Sequence, residues 1–298
     1  VPGPRERTAP HPGRRLRLSL EKTRSLLDSL ARTYTPEFLD TDPLGLVREW
    51  QDPRDREIAA LLAAGLAYGR VVSIRRSLQA VFRTMGERPS RFVDRLEPRR
   101  AARRLERFAH RFTTGAAVVD LLWRVRQARE AAGSLERFFV DGDPEPRSAT
   151  LSPAMDAFVD RLFSLPGSGL GAGAEEGARW LLPAPSRGSA CKRHCLFLRW
   201  MVRPDDGVDL GLWREVSPSR LLLPLDVHLE RVVVALGWTR RKSPGWPMVL
   251  EATACLRRID PSDPVRYDFA LSRLGILGLL PARGTASPPA RWAAVLGA

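Results

Sequence analysis

The stretch DREIAALLAAGLAYGRVV, Asp55 to Val72, opens with charged residues and then runs almost wholly apolar through alanine and leucine. Both are strong helix formers, and a helix that is apolar all round must be covered all round. The stretch therefore predicts a buried helix at the centre of an all-helical protein, opened by an acidic cap and stopped at Gly69 in AYGR.

The flanking sequence extends the same pattern. Leu18 to Thr33 repeats leucine at helical spacing. Ser73–Met85, Pro89–Leu96, Pro98–Phe108, Thr114–Ala132, Ser134–Val140 and Pro153–Leu165 read as helices. Strand-like alternation is nowhere convincing. PGSGLGAG, Pro166 to Gly173, reads as a flexible connection; with no strand before it and no Gly-Lys-Ser/Thr after it, it lacks the context of a phosphate loop. Ala190–Arg203 is a further helix, another starts at Val227 after a break at Pro224, and a final apolar helix lies within Asp260–Leu280. The sum is an all-α chain without internal repeats.

The chain has 48 basic against 34 acidic residues, a net charge of +14, and a pI near 11.0. A field of that sign concentrates polyanions, so nucleic acid is the first partner to consider. Val1 to Arg17 is rich in proline and arginine with almost no large apolar residues, which predicts a disordered basic arm. No apolar run is long enough for a membrane helix, and a cytoplasmic location is expected. Cys191, Cys195 and Cys255 form neither a disulfide framework nor a four-thiolate cluster, and four scattered histidines add no metal site. No cofactor is expected.

Lysine occurs only at Lys22, Lys192 and Lys242; the other 45 basic residues are arginine. A guanidinium does not lose its proton to become a nucleophile, so a lysine kept in such a background is a candidate for amine chemistry. Lys192 lies in RGSACKRHCLFLRWMVR, Arg187 to Arg203. Ser189 is placed to cap the helix, which puts Lys192 in its first turn beside Arg193, a setting that favours the neutral amine. The same position suits a lysine that merely holds a phosphate. Asp226, in LPLDVHLERVVVALG, is a good N-cap for the helix that follows. Since both residues start helices, a chain running out along one helix and back could bring them together.

At this pairing the sequence resembles the helix-hairpin-helix DNA glycosylase superfamily, whose members carry a glycine-containing hairpin, a lysine in the following helix and an aspartate in a segment of the form VDTHVxRVxxRLG. The long gap between lysine and aspartate is most similar to the archaeal 8-oxoguanine glycosylase branch. DREIAALLAAGLAYGR, LLPAPSRGSACKRHCLFLRWMVR, LPLDVHLERV and YDFALSRLGI also closely resemble an uncharacterised bacterial family known only as a domain of unknown function. Two departures stand out. The superfamily hairpin places its lysine two residues after Leu-Pro-Gly-x-Gly, whereas Lys192 lies four beyond Gly188, and the four-cysteine iron-sulfur loop of one large branch is missing.

The resemblance implies a two-lobed fold, with residues about 18–66 and 224–298 in one lobe and about 67–223 in the other. It implies a monomeric, nucleoid-associated repair enzyme acting on double-stranded DNA with a damaged base such as 8-oxoguanine, through base excision and strand cleavage at a lysine Schiff base. Lys192 and Asp226 would be catalytic, and backbone amides near Gly188 and Ser189 would grip a phosphate. Tyr68 and Arg70 would fill the gap left by the flipped base. Arg193, Arg199 and Arg203 are candidate phosphate contacts, or solvated helix face; His228 could bond the sugar-phosphate, or be satisfied within the fold. Trp200 and Trp213 fit core better than base stacking. Asp268, a carboxylate in a mostly apolar helix, could read a base edge or pair with Arg266 or Arg273. The alternatives are a non-catalytic helix-hairpin-helix DNA-binding protein and an enzyme that processes a modified base.

Overall fold

A computed structural model describes residues 19–276 and contains fourteen α-helices. The basic arm, and the end of the chain beyond Ile276, lie outside the described residues. Proline or an oxygen-bearing side chain marks most helix starts. α1 (Leu20–Thr33) is capped by Ser19, α2 (Pro43–Val47) by Asp42 and α3 (Pro53–Gly65) by Asp52. α4 (Val71–Met85), α5 (Pro89–Asp94) and α6 (Pro98–Arg104) follow. α7 (Gly115–Ala132) is capped by Thr114 and closed by a left-handed Gly133, and α8 (Leu135–Val140) by Ser134. α9 (Ser152–Ser164), α10 (Ala172–Leu181), α11 (Lys192–Val202), α12 (Val227–Ala235), α13 (Trp246–Ile259) and α14 (Asp268–Ile276) complete the set.

α3 is the central helix the sequence predicts. Ile58 through Ala64 are all buried, and α3 packs on α2, α4, α5 and α11. Its end differs from expectation: the helix stops at Gly65, and Gly69, at φ +93°, belongs to the turn leading into α4. A longer helix would engage the Ala67 carbonyl in its own ladder; here that carbonyl accepts a hydrogen bond from Lys192.

Two elements depart from an all-helical, flexible-loop reading. β1 (Ala109–His110) and β2 (Thr113–Thr114) form a small antiparallel hairpin, too short to show alternation. The glycine-rich segment is not a linker throughout, because α10 begins at Ala172. A Cβ at Gly177 would sit only 2.6 Å from Ala117 Cβ, so that glycine lets α10 close on α7. α1 packs on α13 and α14, α12 packs on α14, and the buried apolar residues form one contiguous cluster. Trp200 and Trp213 lie inside it, with the Trp213 indole donating to Glu57 Oε1 at 2.8 Å. No helix among the described residues is long and apolar enough to cross a membrane.

Candidate active site

Lys192 is the first residue of α11, not the third. The N-cap is Cys191 in a left-handed conformation (φ +49°), and Ser189 instead accepts from the Cys191 amide at 3.2 Å. The lysine side chain leaves the start of α11 and reaches two partners. Nζ donates to the Ala67 carbonyl at 3.3 Å and pairs with Asp226 Oδ2 at 3.2 Å. An ammonium has three N–H donors, so one remains beyond these two bonds. Lys192 is 33% exposed and Asp226 17% exposed, so the pair is reachable from solvent.

Asp226 uses its two oxygens separately. Oδ1 caps α12 by accepting from the amides of His228 and Leu229, each at 2.9 Å, while Oδ2 faces Lys192. Burial opposes its charge, but the Lys192 ammonium and the Leu229 amide hold the carboxyl below its ordinary range. Capping and pairing with lysine, alternatives at the level of sequence, coexist in one side chain.

The pair lies in a cleft of about 370 Å³ whose lining includes Tyr68, His228, Asp268 and Arg199. Four widely separated segments thus converge on one space. The His228 ring packs against Gly275, where any Cβ would collide with it, and its Nδ1 is buried without a partner. Tyr68 lines one wall, with its hydroxyl bonded to the His110 carbonyl and Thr113 Oγ1, both at 2.7 Å. This ties the Tyr68 hydroxyl to the β-hairpin while its ring stays on the cleft wall.

Asp268 is buried beneath the cleft. It pairs through Oδ2 with Arg199, not with Arg266 or Arg273, which bind Asp260 and Asp42. Its Oδ1 has no partner. Burial pushes the Asp268 carboxyl up to about 6 against the pull of Arg199. Arg199 and Arg203 are corrections to the phosphate-contact reading. Both are buried: Arg199 binds Asp209 at 2.9 Å and Asp268, while Arg203 binds Asp263 at 2.8 Å, Asp206 at 3.0 Å and Asp209. Burial opposes the Arg199 charge, and the two aspartates more than offset it, so its pKa rises. These guanidiniums are neutralised inside the protein and have nothing to offer a phosphate.

Arg193 is also buried rather than presented, its guanidinium lying over the rings of Trp180 and Tyr68 at 4.3 and 5.2 Å. Gly188 and Ser189 are exposed in the connection between α10 and α11, but the Gly188 amide closes a turn onto the Pro185 carbonyl at 2.9 Å and is not free for a phosphate. Arg70 is exposed at the start of α4, outside the cleft lining. The thiols are poor nucleophiles: burial pushes Cys191 up to about 12 and raises Cys195 as well. Among the described residues, no group of three or more His, Cys, Asp or Glu side chains could hold a metal ion. Sequence reasoning missed the Ala67 carbonyl and Gly275, and only the glycine carried a readable signal, as a small residue inside an apolar helix.

The fold and site define a mostly helical protein with a lysine–aspartate pair set where two helices start, in a cleft open to solvent. The chain belongs to a family of proteins of unknown function, DUF2400, whose family model matches residues 42–277. No curated protein and no solved structure matches it.

Proposed function

We propose that this protein is a DNA glycosylase of the helix-hairpin-helix type, with a two-lobed fold of that class, and that it removes a damaged base such as 8-oxoguanine through a Schiff base on Lys192. The observation that carries this reading is the Lys192 Nζ to Asp226 Oδ2 contact of 3.2 Å at a cleft of about 370 Å³. A nucleotide turned out of DNA would place its base in the cleft and its sugar C1′ at the amine. The amine, having given up a proton, forms a bond from Nζ to C1′. The glycosidic C1′–N bond breaks, its electron pair leaves with the base, and a proton from solvent or a neighbouring acid neutralises that base. Ring opening then yields the imine, from which β-elimination cleaves the strand.

Asp226 stays ionised because Lys192 and the α12 amides favour its charged form despite burial. Its main contribution is therefore negative charge beside the developing cation on the sugar, with proton acceptance second. Asp268, with an unpartnered oxygen under the cleft, is the candidate for reading the base.

The test is borohydride trapping on duplexes that each carry one defined lesion, including 8-oxoguanine and an abasic site, with Lys192→Arg run in parallel. A covalent adduct on a base lesion that disappears in the variant establishes the Schiff base. Salt-sensitive DNA binding in both proteins with no adduct in either rejects the enzyme and leaves a DNA-binding module in which Lys192 holds a phosphate.

A further inference from the structure

The largest exposed aromatic surface among the described residues is not in the cleft but at its rim. Phe112 is 72% exposed and Trp180 is 47% exposed, and their rings meet edge to face at 6.4 Å. Trp180 also meets Tyr68 edge to face at 6.0 Å. Arg193 lies over the indole at 4.3 Å, and Arg111 lies over Phe112 at 5.6 Å.

The exposure of Phe112 is built in. Arg111 and Phe112 form the two-residue loop between β1 and β2, and Arg111 adopts φ +53°, a left-handed backbone that glycine or asparagine takes more readily. The base of the loop is held on both sides. His110 Nδ1 meets Ser77 Oγ at 2.9 Å, His110 Nε2 meets the Tyr68 carbonyl at 2.9 Å, and the Tyr68 hydroxyl meets Thr113 Oγ1 at 2.7 Å. A surface aromatic held out by a strained and well-anchored loop is positioned for contact.

Its charge setting points to one kind of partner. Arg193 is buried, its Nη1 has no hydrogen-bond partner, and no carboxylate pairs with it, with Arg111 or with Arg70 among the described residues. The platform is continuous with the cleft, since Ala67, Tyr68 and Gly69 form the cleft wall and Arg111 lies over Gly69. The exposed Phe112 and Trp180 rings beside the exposed Arg111 guanidinium suit a nucleobase and its phosphate, while the buried Arg193 backs the indole.

We propose that Phe112 and Trp180 form a stacking platform for an unpaired nucleobase adjoining the one taken into the Lys192 cleft, so that the preferred substrate is locally single-stranded rather than fully paired nucleic acid. This rests on the reading of the cleft as a nucleic-acid site, but it needs neither a lesion nor Schiff-base chemistry. Tyr68, tied to the hairpin, supports the platform from behind.

The test is fluorescence anisotropy with a labelled single-stranded oligothymidylate and with the same strand annealed to its complement. The expected result is tighter binding of the single strand. Phe112→Ala and Trp180→Ala should each weaken it about tenfold, while binding of the duplex and the salt dependence stay unchanged. Phe112→Trp should restore binding and Phe112→Leu should not, because leucine keeps apolar bulk without a π-face. Thermal unfolding of each variant checks the fold. Equal binding by the wild-type and alanine proteins, equal loss on both oligonucleotides, or full function in Phe112→Leu would each overturn the proposal. Selective loss without borohydride trapping would support a single-strand-binding module. Trapping without selective loss would leave the Lys192 chemistry standing and remove the platform.

Discussion

Helix α11 carries two ionic systems separated by about two turns, and they have opposite fates. At its start, Lys192 meets Asp226 with both partners partly open to solvent. Further along, the buried Arg199 and Arg203 share Asp209, with Asp268 pairing to Arg199 and with Asp263 and the more exposed Asp206 pairing to Arg203. Reading basic residues along a helix does not distinguish the two. Burial and partner number do: the network's arginines are buried and each pairs with two or more aspartates, whereas the amine faces a cleft with a donor to spare. Charge that holds the fold together is buried, and the charge at the cleft is left open to solvent.

The largest effect is expected of Asp226→Asn. Asparagine caps a helix as well as aspartate, so the thermal midpoint should move little, while trapping on a lesion duplex should fall by a factor of about 10² to 10³. A large loss of stability with activity retained would assign Asp226 to structure alone. Arg199→Met should act in reverse. It leaves Asp209 and Asp268 buried beside a missing partner and should cost about 3–5 kcal/mol in denaturant unfolding. If Arg199→Met were as stable as wild type, the network would not be the buried system described.

Gly275→Ala probes the border between the two systems. The new methyl meets the His228 ring, so α14 and α12 must part; a destabilisation of about 1–3 kcal/mol is expected, together with weaker DNA binding. The pH dependence sharpens the contrast further. Asp268 holds its proton up to about pH 6 in the folded state, whereas an ordinary aspartate loses it near 3.8. The folded state therefore binds more protons across that window, and the stability contributed by Asp268 falls as pH rises through it. Asp226 has the opposite sign: its depressed pKa contributes stability above the ordinary aspartate value, and acidification through the folded pKa removes it. Asp268→Asn should flatten the decline between about pH 4 and 6, measured by unfolding across pH. The smallest effect belongs to the half-exposed pair Arg137–Glu215, where Arg137→Ala should change stability by no more than about 1 kcal/mol.

Much of the architecture was legible because helix signals are local. The proline and capping positions at Pro89, Pro98, Thr114, Ser134 and Asp226 mark helix starts in the sequence and in the fold alike. α10 was hidden because its glycines read as flexibility, while Gly177 serves close packing on α7. α13 was not read as a helix from the sequence, although its first-turn proline and the apolar residues Met248, Val249, Ala252 and Leu256 fit the pattern. In the site, Lys192 stood out by composition and Asp226 by its cap signal, and the fold brings the two together. The phosphate-contact roles given to Arg199 and Arg203 did not survive, because both are buried against Asp209, Asp263 and Asp268, which lie outside the helix, and Arg193 is buried against the rings of Trp180 and Tyr68. The platform at Phe112 was likewise illegible, since exposure is set by the tertiary anchoring of its hairpin.

The divided carboxylate of Asp226 narrows the alphabet available at that position. One oxygen starts α12 and the other faces the amine. Asparagine, serine and threonine meet the first requirement without the charge, and glutamate brings the charge but caps poorly. Among the twenty residues, aspartate alone meets both demands, so the register at which α12 starts and the placing of the lysine–aspartate pair are set by one side chain and neither changes without the other.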